Sequence, residues 1–242
     1  MPYRRLPNTD QARLRALQAA IIAAQKKSPE ELAFSSNTLS RLRAFFTTFE
    51  TTIIHHKLAR QQQEKNSSPY QDTVRKARLY LSHFLQIINF AVQRGDMKPD
   101  ARKYYGIDDD KKTPSFLLDS EVLEWGKKII EGDHQRVLHG GNPIYNPSIA
   151  LVKVKFDQFL DAYHFQKTLQ NNTARWTAKV ADLRNEADEI ILDIWNEVEE
   201  YFVDLPDDMK REKAVEYGLT YVYRPMEKIK SDSKAVQTTL VF

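Results

Sequence analysis

The sequence predicts an all-α helical bundle, and three observations indicate this fold class. Only seven glycines occur among 242 residues, and doubly wound sheets, barrels and phosphate-binding loops all need glycine for turns with positive φ. Hydrophobic residues make up 41% of the chain and charged residues 29%, as in a folded globular protein. Apolar residues recur at helical spacing along the chain, and each apolar stripe needs a partner surface. A bundle of about six main helices follows.

Three main helices are predicted in the first half of the chain. The first spans about residues 9–27, after Pro7 and the capping-type sequence Asn8-Thr9-Asp10, and the second spans about 37–64. The third begins at Ser68 and Pro69, which form a good N-cap and first-turn pair, and it ends at Gly95.

Three more main helices are predicted in the second half. The fourth begins at Asp119 or Ser120 and ends at Gly140, and Gly126 on its core side would allow close helix packing. The fifth opens at Pro147. The sixth follows the Asn171-Asn172 pair and runs to Leu205.

A similar ending marks both halves. Short helices that start at a proline end at Tyr105-Gly106 and again at Tyr217-Gly218, 112 residues later, and glycine suits the left-handed position after a helix. This recurrence predicts a tandem duplication.

The predicted domain organisation follows from this duplication. Residues 1–112 form the first helical repeat, and residues 113–219 form the second repeat, packed with the first as one domain. Residues 220–242 form an extended tail or a small β-ribbon, because 220–223 and 236–242 are rich in β-branched and aromatic residues.

Charge is distributed unevenly between the halves. Residues 1–112 carry 20 Lys and Arg against 11 Asp and Glu, whereas residues 113–242 carry 16 against 22. Two oppositely charged halves are expected to pack on each other or to be solvated. The alternative is that the basic half binds nucleic acid, for which Arg4, Arg5, Arg13 and Arg15 are candidates.

The sequence predicts no catalytic site, metal or cofactor. It has no cysteine and no Walker, Rossmann or nucleophile-elbow motif. A bundle can hold two metal ions between Glu-x-x-His motifs, but helical angles turn Glu131, His134, Asp161 and His164 away from the apolar stripes. His139, in a His-Gly-Gly-Asn loop, is a weak candidate for binding an anion.

A possible interaction surface is predicted at the ends of the repeats and on the acidic face of the sixth helix. Tyrosines suit interfaces because they combine an apolar ring with a polar hydroxyl. The alternative is that the tyrosines pack short helices onto long ones and that the acidic face is solvated or meets basic helices of the first half. The surface consists of Tyr105, Tyr217, Tyr221, Tyr223, Glu189, Asp193 and Glu197.

The opening sequence Met-Pro-Tyr-Arg-Arg-Leu-Pro-Asn-Thr-Asp, residues 1–10, resembles the start of a group of uncharacterised helical proteins from Bacteroidetes. This resemblance implies no activity.

The function expected from the sequence is that of a non-catalytic scaffold or protein-interaction protein. It would act through a protein partner or as a homodimer. Nucleic-acid binding is the alternative, and a small-molecule pocket between the two repeats is a minor one. We expect a cytoplasmic protein, because the chain shows no signal peptide, no membrane span and no cysteine.

Overall fold

The computed structural model describes residues 2–107 and 114–223, which fold mainly into helices. The predicted all-α class is therefore confirmed. In chain order the elements are β1 (Tyr3–Arg4), α1 (Asp10–Lys26), α2 (Ser36–Gln93), a 3-10 helix (Pro99–Tyr105), α3 (Asp119–Leu138), α4 (Ile149–Tyr201), α5 (Asp207–Val215) and β2 (Tyr221–Val222).

Helix α2 continues through the predicted boundary at Pro69, so the prediction of separate second and third helices is wrong. A proline inside a helix removes one backbone hydrogen bond and costs about 3 kcal/mol. Buried residues flank the proline on both sides: Ala59 precedes it, and Tyr70 and Val74 follow it. We attribute the continuity of α2 to this burial, which outweighs the local cost.

Helix α4 likewise continues through Asn171 and Asn172, so the predicted fifth and sixth helices are one helix. Asparagine lowers helix stability by less than about 0.7 kcal/mol relative to alanine. The helix buries Phe159 before this pair and Val180 after it. Asparagine is a mild local signal, and it does not end a helix whose apolar face continues.

Helix α3 begins at Asp119 as predicted. The Glu121 carboxylate accepts the backbone N–H of Leu118 at 2.9 Å and so caps the first turn. A side-chain carbon at Gly126 would overlap the ring of Phe156 on α4. The predicted close packing at Gly126 is therefore confirmed.

A two-stranded antiparallel ribbon joins the start of the chain to residues near its end. Tyr3 lies opposite Val222, and Arg4 lies opposite Tyr221. The predicted small ribbon is present, but residues 221–222 pair with the N-terminal strand β1. The other predicted strand, 236–242, lies outside the described residues, as does all of 224–242.

The chain divides into two compact units, each with its own core. Unit 1 comprises the described residues of Met1–Leu58 and Ala174–Phe242, which supply α1, the first part of α2, the last part of α4, α5 and the ribbon. The largest side chains buried in its core include Leu17, Leu42, Phe49, Trp195 and Tyr217.

Unit 2 comprises the described residues of Ala59–Thr173, which supply the rest of α2 and α4, the 3-10 helix and α3. Leu81, Phe84, Tyr105, Ile129 and Phe159 are among the largest buried side chains of its core. Each unit thus combines helices from both predicted repeats. The proposed repeat boundary at 112/113 lies outside the described residues, and the duplication stays a prediction.

The two Tyr-Gly steps have the predicted backbone conformation. Gly106 has a φ of +70° and ends the 3-10 helix, and Gly218 has a φ of +87° shortly after α5. Glycine adopts this left-handed conformation without the steric penalty that other residues incur.

Candidate functional site

Tyr105 and Tyr217, predicted as interaction residues, are fully buried in the two cores, each with 0% of its surface exposed. A partner protein cannot reach them in this structure, so their assignment to an interaction surface is wrong. Tyr105 packs edge-on against Phe84, and Tyr217 packs edge-on against Phe34. This matches the alternative in which the tyrosines pack the short segments onto the long helices.

Tyr105 belongs to a buried polar network in unit 2. Its hydroxyl donates to Asp133 Oδ1 at 2.7 Å and accepts from Arg136 Nε at 2.7 Å. Arg136 Nη2 also donates to Asp133 Oδ1, and Nη1 donates to the carbonyl of Asn142. Burial and the bond to Asp133 hold the pKa of Tyr105 well above its ordinary value, so the phenol stays protonated.

Tyr217 has a corresponding cation in unit 1. Lys27 Nζ lies 3.0 Å from the Tyr217 hydroxyl and 2.8 Å from Glu216 Oε2. Burial acts to lower the pKa of Lys27, but the bonds to Glu216 and Tyr217 outweigh it and raise that pKa. A basic residue at the end of a helix therefore holds the tyrosine in both units: Lys27 follows α1, and Arg136 lies in the last turn of α3.

The two other predicted tyrosines lie at the ribbon. Tyr221 is half-buried, and its hydroxyl donates to Glu199 Oε1 at 2.7 Å. Burial and this bond raise the pKa of Tyr221 above its ordinary value. Tyr223 is 37% exposed and is the most accessible of the four predicted tyrosines.

The predicted acidic residues of α4 are engaged within unit 1. Arg41 on α2 donates to Glu189 at 3.0 Å and to Asp193 at 2.9 Å. Glu197 accepts the backbone N–H of Ser35 at 2.5 Å and the Thr38 hydroxyl at 2.6 Å, and so ties α4 to the start of α2. The acidic face thus meets the basic first half of the chain.

Further ion pairs in unit 1 join the basic N-terminal segment to α4. Arg13 holds Asp188 through two bonds of 2.7 and 2.8 Å, and Arg184 holds Asp10 through two bonds of 2.8 Å. Arg4 pairs with Glu199 at 3.0 Å. Two of the four arginines proposed for nucleic acid, Arg4 and Arg13, are therefore neutralised by carboxylates of the second half.

The pair between Asp10 and Arg184 predicts a pH-dependent contribution to stability. The hydrogen bond from Arg184 holds the pKa of Asp10 below its ordinary value of 3.8. A carboxyl with a lowered folded-state pKa stabilises the fold above its unfolded-state pKa, and this contribution is lost as the pH falls through the folded-state pKa. We expect Asp10→Asn to lower the urea midpoint at neutral pH but to change it little near pH 2.

The matched control is Asp182→Asn, because Asp182 is an exposed carboxylate of α4 without an ion pair to a described residue. Its midpoint should follow that of the unsubstituted protein at both pH values. If Asp10→Asn lowered the urea midpoint by the same amount at low pH as at neutral pH, the charge of Asp10 would not be the cause.

A groove of about 630 Å³ lies in unit 1 between α1 and the chain that leads into β2. Its walls include Arg5, Arg15, the small residues Ala16 and Ala19, and Trp195. Arg5 and Arg15 are exposed and form no ion pair with any described residue, unlike the neighbouring Arg4 and Arg13. The groove therefore combines two unneutralised guanidinium groups with small apolar residues.

A cleft of about 430 Å³ lies in unit 2, beside the buried Tyr105 network. One wall comes from residues 96–104, and the other comes from residues 136–142 at and after the end of α3. The predicted anion-binding candidate His139 lies in this cleft, together with Lys98 and Tyr104.

Sequence reasoning missed a cluster of aromatic and basic residues in unit 1. His55 stacks on Trp176 with 4.7 Å between ring centroids, and Lys179 Nζ lies 4.6 Å from the indole centroid. Aromatic rings beside cations are common in nucleic-acid sites. Here the chain's own side chains already occupy the ring on which a base would stack.

No group of three or more His, Asp or Glu residues in 2–107 and 114–223 is arranged to hold a metal ion. None of the described helices carries an apolar stretch long enough to cross a lipid bilayer. Comparison with protein-family models, curated proteins and solved structures gives no match. The resemblance of residues 1–10 to Bacteroidetes proteins thus stays a prediction.

Proposed function

We propose that this chain is a non-catalytic interaction protein that binds an acidic, partly apolar segment of a partner protein in the groove of unit 1. The observation that carries the proposal is which of the N-terminal arginines form ion pairs. Arg4 and Arg13 pair with carboxylates of α4, whereas Arg5 and Arg15 face the groove without such a pair among the described residues. We place the protein in the cytoplasm, because a chain without cysteine suits a reducing compartment.

The chemistry of the groove favours a segment that combines a carboxylate with apolar side chains. A guanidinium group presents a planar fork of N–H donors that matches a carboxylate, and such charge-assisted bonds are stronger than neutral ones. Ala16 and Ala19 offer small apolar contacts beside the arginines. The volume of about 630 Å³ lies within the range of about 300–1,000 Å³ that is usual for ligand sites.

Nucleic acid is a weaker candidate for the same groove. Binding to nucleic acid gains most of its affinity from several phosphate contacts, each of which releases counterions. Internal carboxylates already neutralise much of the basic surface of unit 1. The two arginines that remain in the groove fit one or two carboxylates better than an extended phosphate backbone.

Peptide binding tests this proposal. We expect a labelled peptide of alternating glutamate and leucine to bind the full chain in a fluorescence anisotropy titration, more tightly at low salt. A lysine–leucine peptide should not bind. Arg5→Ala together with Arg15→Ala should weaken binding several-fold, because each exposed ion pair contributes up to about 1 kcal/mol.

The matched control is Arg43→Ala. Arg43 is also an exposed arginine of unit 1 without a described ion pair, but it lies on α2 outside the groove. This variant should bind the acidic peptide as the unsubstituted protein does. The proposal fails if the acidic peptide does not bind at low salt. It also fails if Arg43→Ala weakens binding as much as the double variant, or if duplex DNA competes with the peptide at the same arginines.

A further inference from the structure

The cleft in unit 2 has a buried, charged side chain in its wall. Arg136 lines the cleft although only 3% of its surface is exposed. Its side chain is fixed by the bonds to Asp133, Tyr105 and the Asn142 carbonyl. A guanidinium group has five N–H bonds, and one on each terminal nitrogen of Arg136 has no acceptor among the described residues. A rigid cation with spare donors is therefore part of this cleft.

The exposed part of the cleft adds positive charge. Lys98 forms no ion pair with a described residue, whereas the carboxylates of the same cleft do: Asp96 pairs with Arg94 and Asp100 with Lys103. His139 Nδ1 donates to the carbonyl of Gln135 at 2.7 Å, so Nε2, which has no described partner, donates to an anion only when the ring is in its imidazolium form. Lys98 thus gives the cleft an exposed lysine that forms no ion pair with a described carboxylate and is available to an anion.

The loop after α3 is shaped to lie against Arg136. A side-chain carbon at Gly141 would lie 2.6 Å from Arg136 Nη1 and 2.9 Å from the Arg136 carbonyl oxygen. A larger residue at this position would displace the loop or the guanidinium group. The glycine therefore permits the close approach that forms one wall of the cleft.

An aromatic pair completes the cleft. The rings of Tyr104 and His139 lie 5.6 Å apart, and Tyr104 is 38% exposed. The cleft thus offers an aromatic surface beside Lys98, His139 and Arg136. Sites for small molecules commonly combine such a surface with a few placed polar groups.

We infer that this cleft binds a small molecule that carries a carboxylate or phosphate group. Lys98 and the imidazolium form of His139 contact the anionic group, the spare donors of Arg136 reinforce it, and Tyr104 packs against the rest of the molecule. This site is distinct from the groove of unit 1 and does not depend on the function proposed there.

Amide chemical shifts of the full chain test this site. Inorganic phosphate and benzoate serve as the two probes, because one carries a phosphate group and the other a carboxylate. Comparing them shows which of the two groups the cleft binds. We expect saturable shifts of the Gly140 and Gly141 amides with at least one probe. Lys98→Met and His139→Gln should each weaken the binding several-fold.

Both substitutions are at exposed positions and should leave the thermal midpoint unchanged, which separates loss of binding from loss of fold. Lys127→Met, at an exposed lysine of α3 outside the cleft, is the matched control and should bind as the unsubstituted protein does. Saturation by either probe supports the site and identifies the favoured anion. Shifts that rise linearly with both probes, or binding that Lys98→Met and His139→Gln leave unchanged, would overturn it.

Discussion

Replacing Asp133 with alanine is expected to lower the free energy of unfolding by about 3–5 kcal/mol, because it leaves the buried cation Arg136 without its carboxylate. Asp133 and Arg136 are 2% and 3% exposed, so water cannot readily solvate the guanidinium group that remains. The same substitution removes the acceptor of the Tyr105 hydroxyl. Urea unfolding followed by circular dichroism measures the effect.

Two further variants separate the charge from the packing. Asp133→Asn keeps the size of the side chain and one oxygen acceptor, so it should lose less stability than Asp133→Ala. Adding Arg136→Met to Asp133→Ala removes the uncompensated cation and should restore part of the loss. If the double variant were less stable than Asp133→Ala alone, the buried charge would not be the cause.

The exposed ion pairs of unit 1 should contribute less to stability than the buried pair of Asp133 and Arg136. Arg41, Glu189 and Asp193 keep between 42% and 67% of their side-chain surface exposed. Exposed ion pairs typically contribute about 0–1 kcal/mol, because water solvates the charges once the pair is broken. The buried pair and the exposed pairs differ in expected energy because they differ in burial, and residue type alone does not reveal burial.

Local sequence signals predicted the bounds of α1 and the glycine turns well. Thr9 accepts the N–H of Ala12 at the start of α1, and α1 spans Asp10–Lys26 against the predicted 9–27. Gly106 and Gly218 adopt the predicted left-handed conformation. Capping and left-handed turns depend on residues within one helical turn, so the sequence carries them directly.

The long helices were predicted less well, because proline and paired asparagines are strong local signals for a boundary. Helices α2 and α4 pass through both boundaries, with buried residues on either side of each. Burial depends on packing against distant parts of the chain, and propensity does not contain that information. The stretch from Arg60 to Ser68 contains no apolar residue, so the spacing of apolar residues does not indicate a continuous helix across Pro69.

The candidate sites depended still more on distant contacts. Arg13 and its partner Asp188 are 175 residues apart, so the sequence could not distinguish a neutralised arginine from a free one. The uneven charge of the two halves predicted that they would either pack on each other or be solvated, and the ion pairs of unit 1 match the first of these. It could not identify Arg5 and Arg15 as the arginines left over, because that requires the positions of the carboxylates on α4.

Gly132→Ala is expected to lower the free energy of unfolding by about 2 kcal/mol, although helix propensity alone predicts a gain of about 1 kcal/mol. A side-chain carbon at Gly132 would overlap the carbonyl oxygen of Tyr104 and lie 3.0 Å from Cδ1 of Tyr105. The obstructing atom belongs to the backbone of the 3-10 helix, so a change of rotamer cannot relieve the overlap. Either α3 or the 3-10 helix must move.

The sign of this effect distinguishes packing from propensity. Lys127→Ala, at an exposed position of the same helix, should change stability by less than about 0.5 kcal/mol. A stabilised Gly132→Ala protein would show that α3 and the 3-10 helix are not held as closely as the structure places them. A destabilised one would show that the absence of a side chain at Gly132 sets the approach of α3 to Tyr104 and Tyr105, and thereby positions both the buried network and the neighbouring cleft.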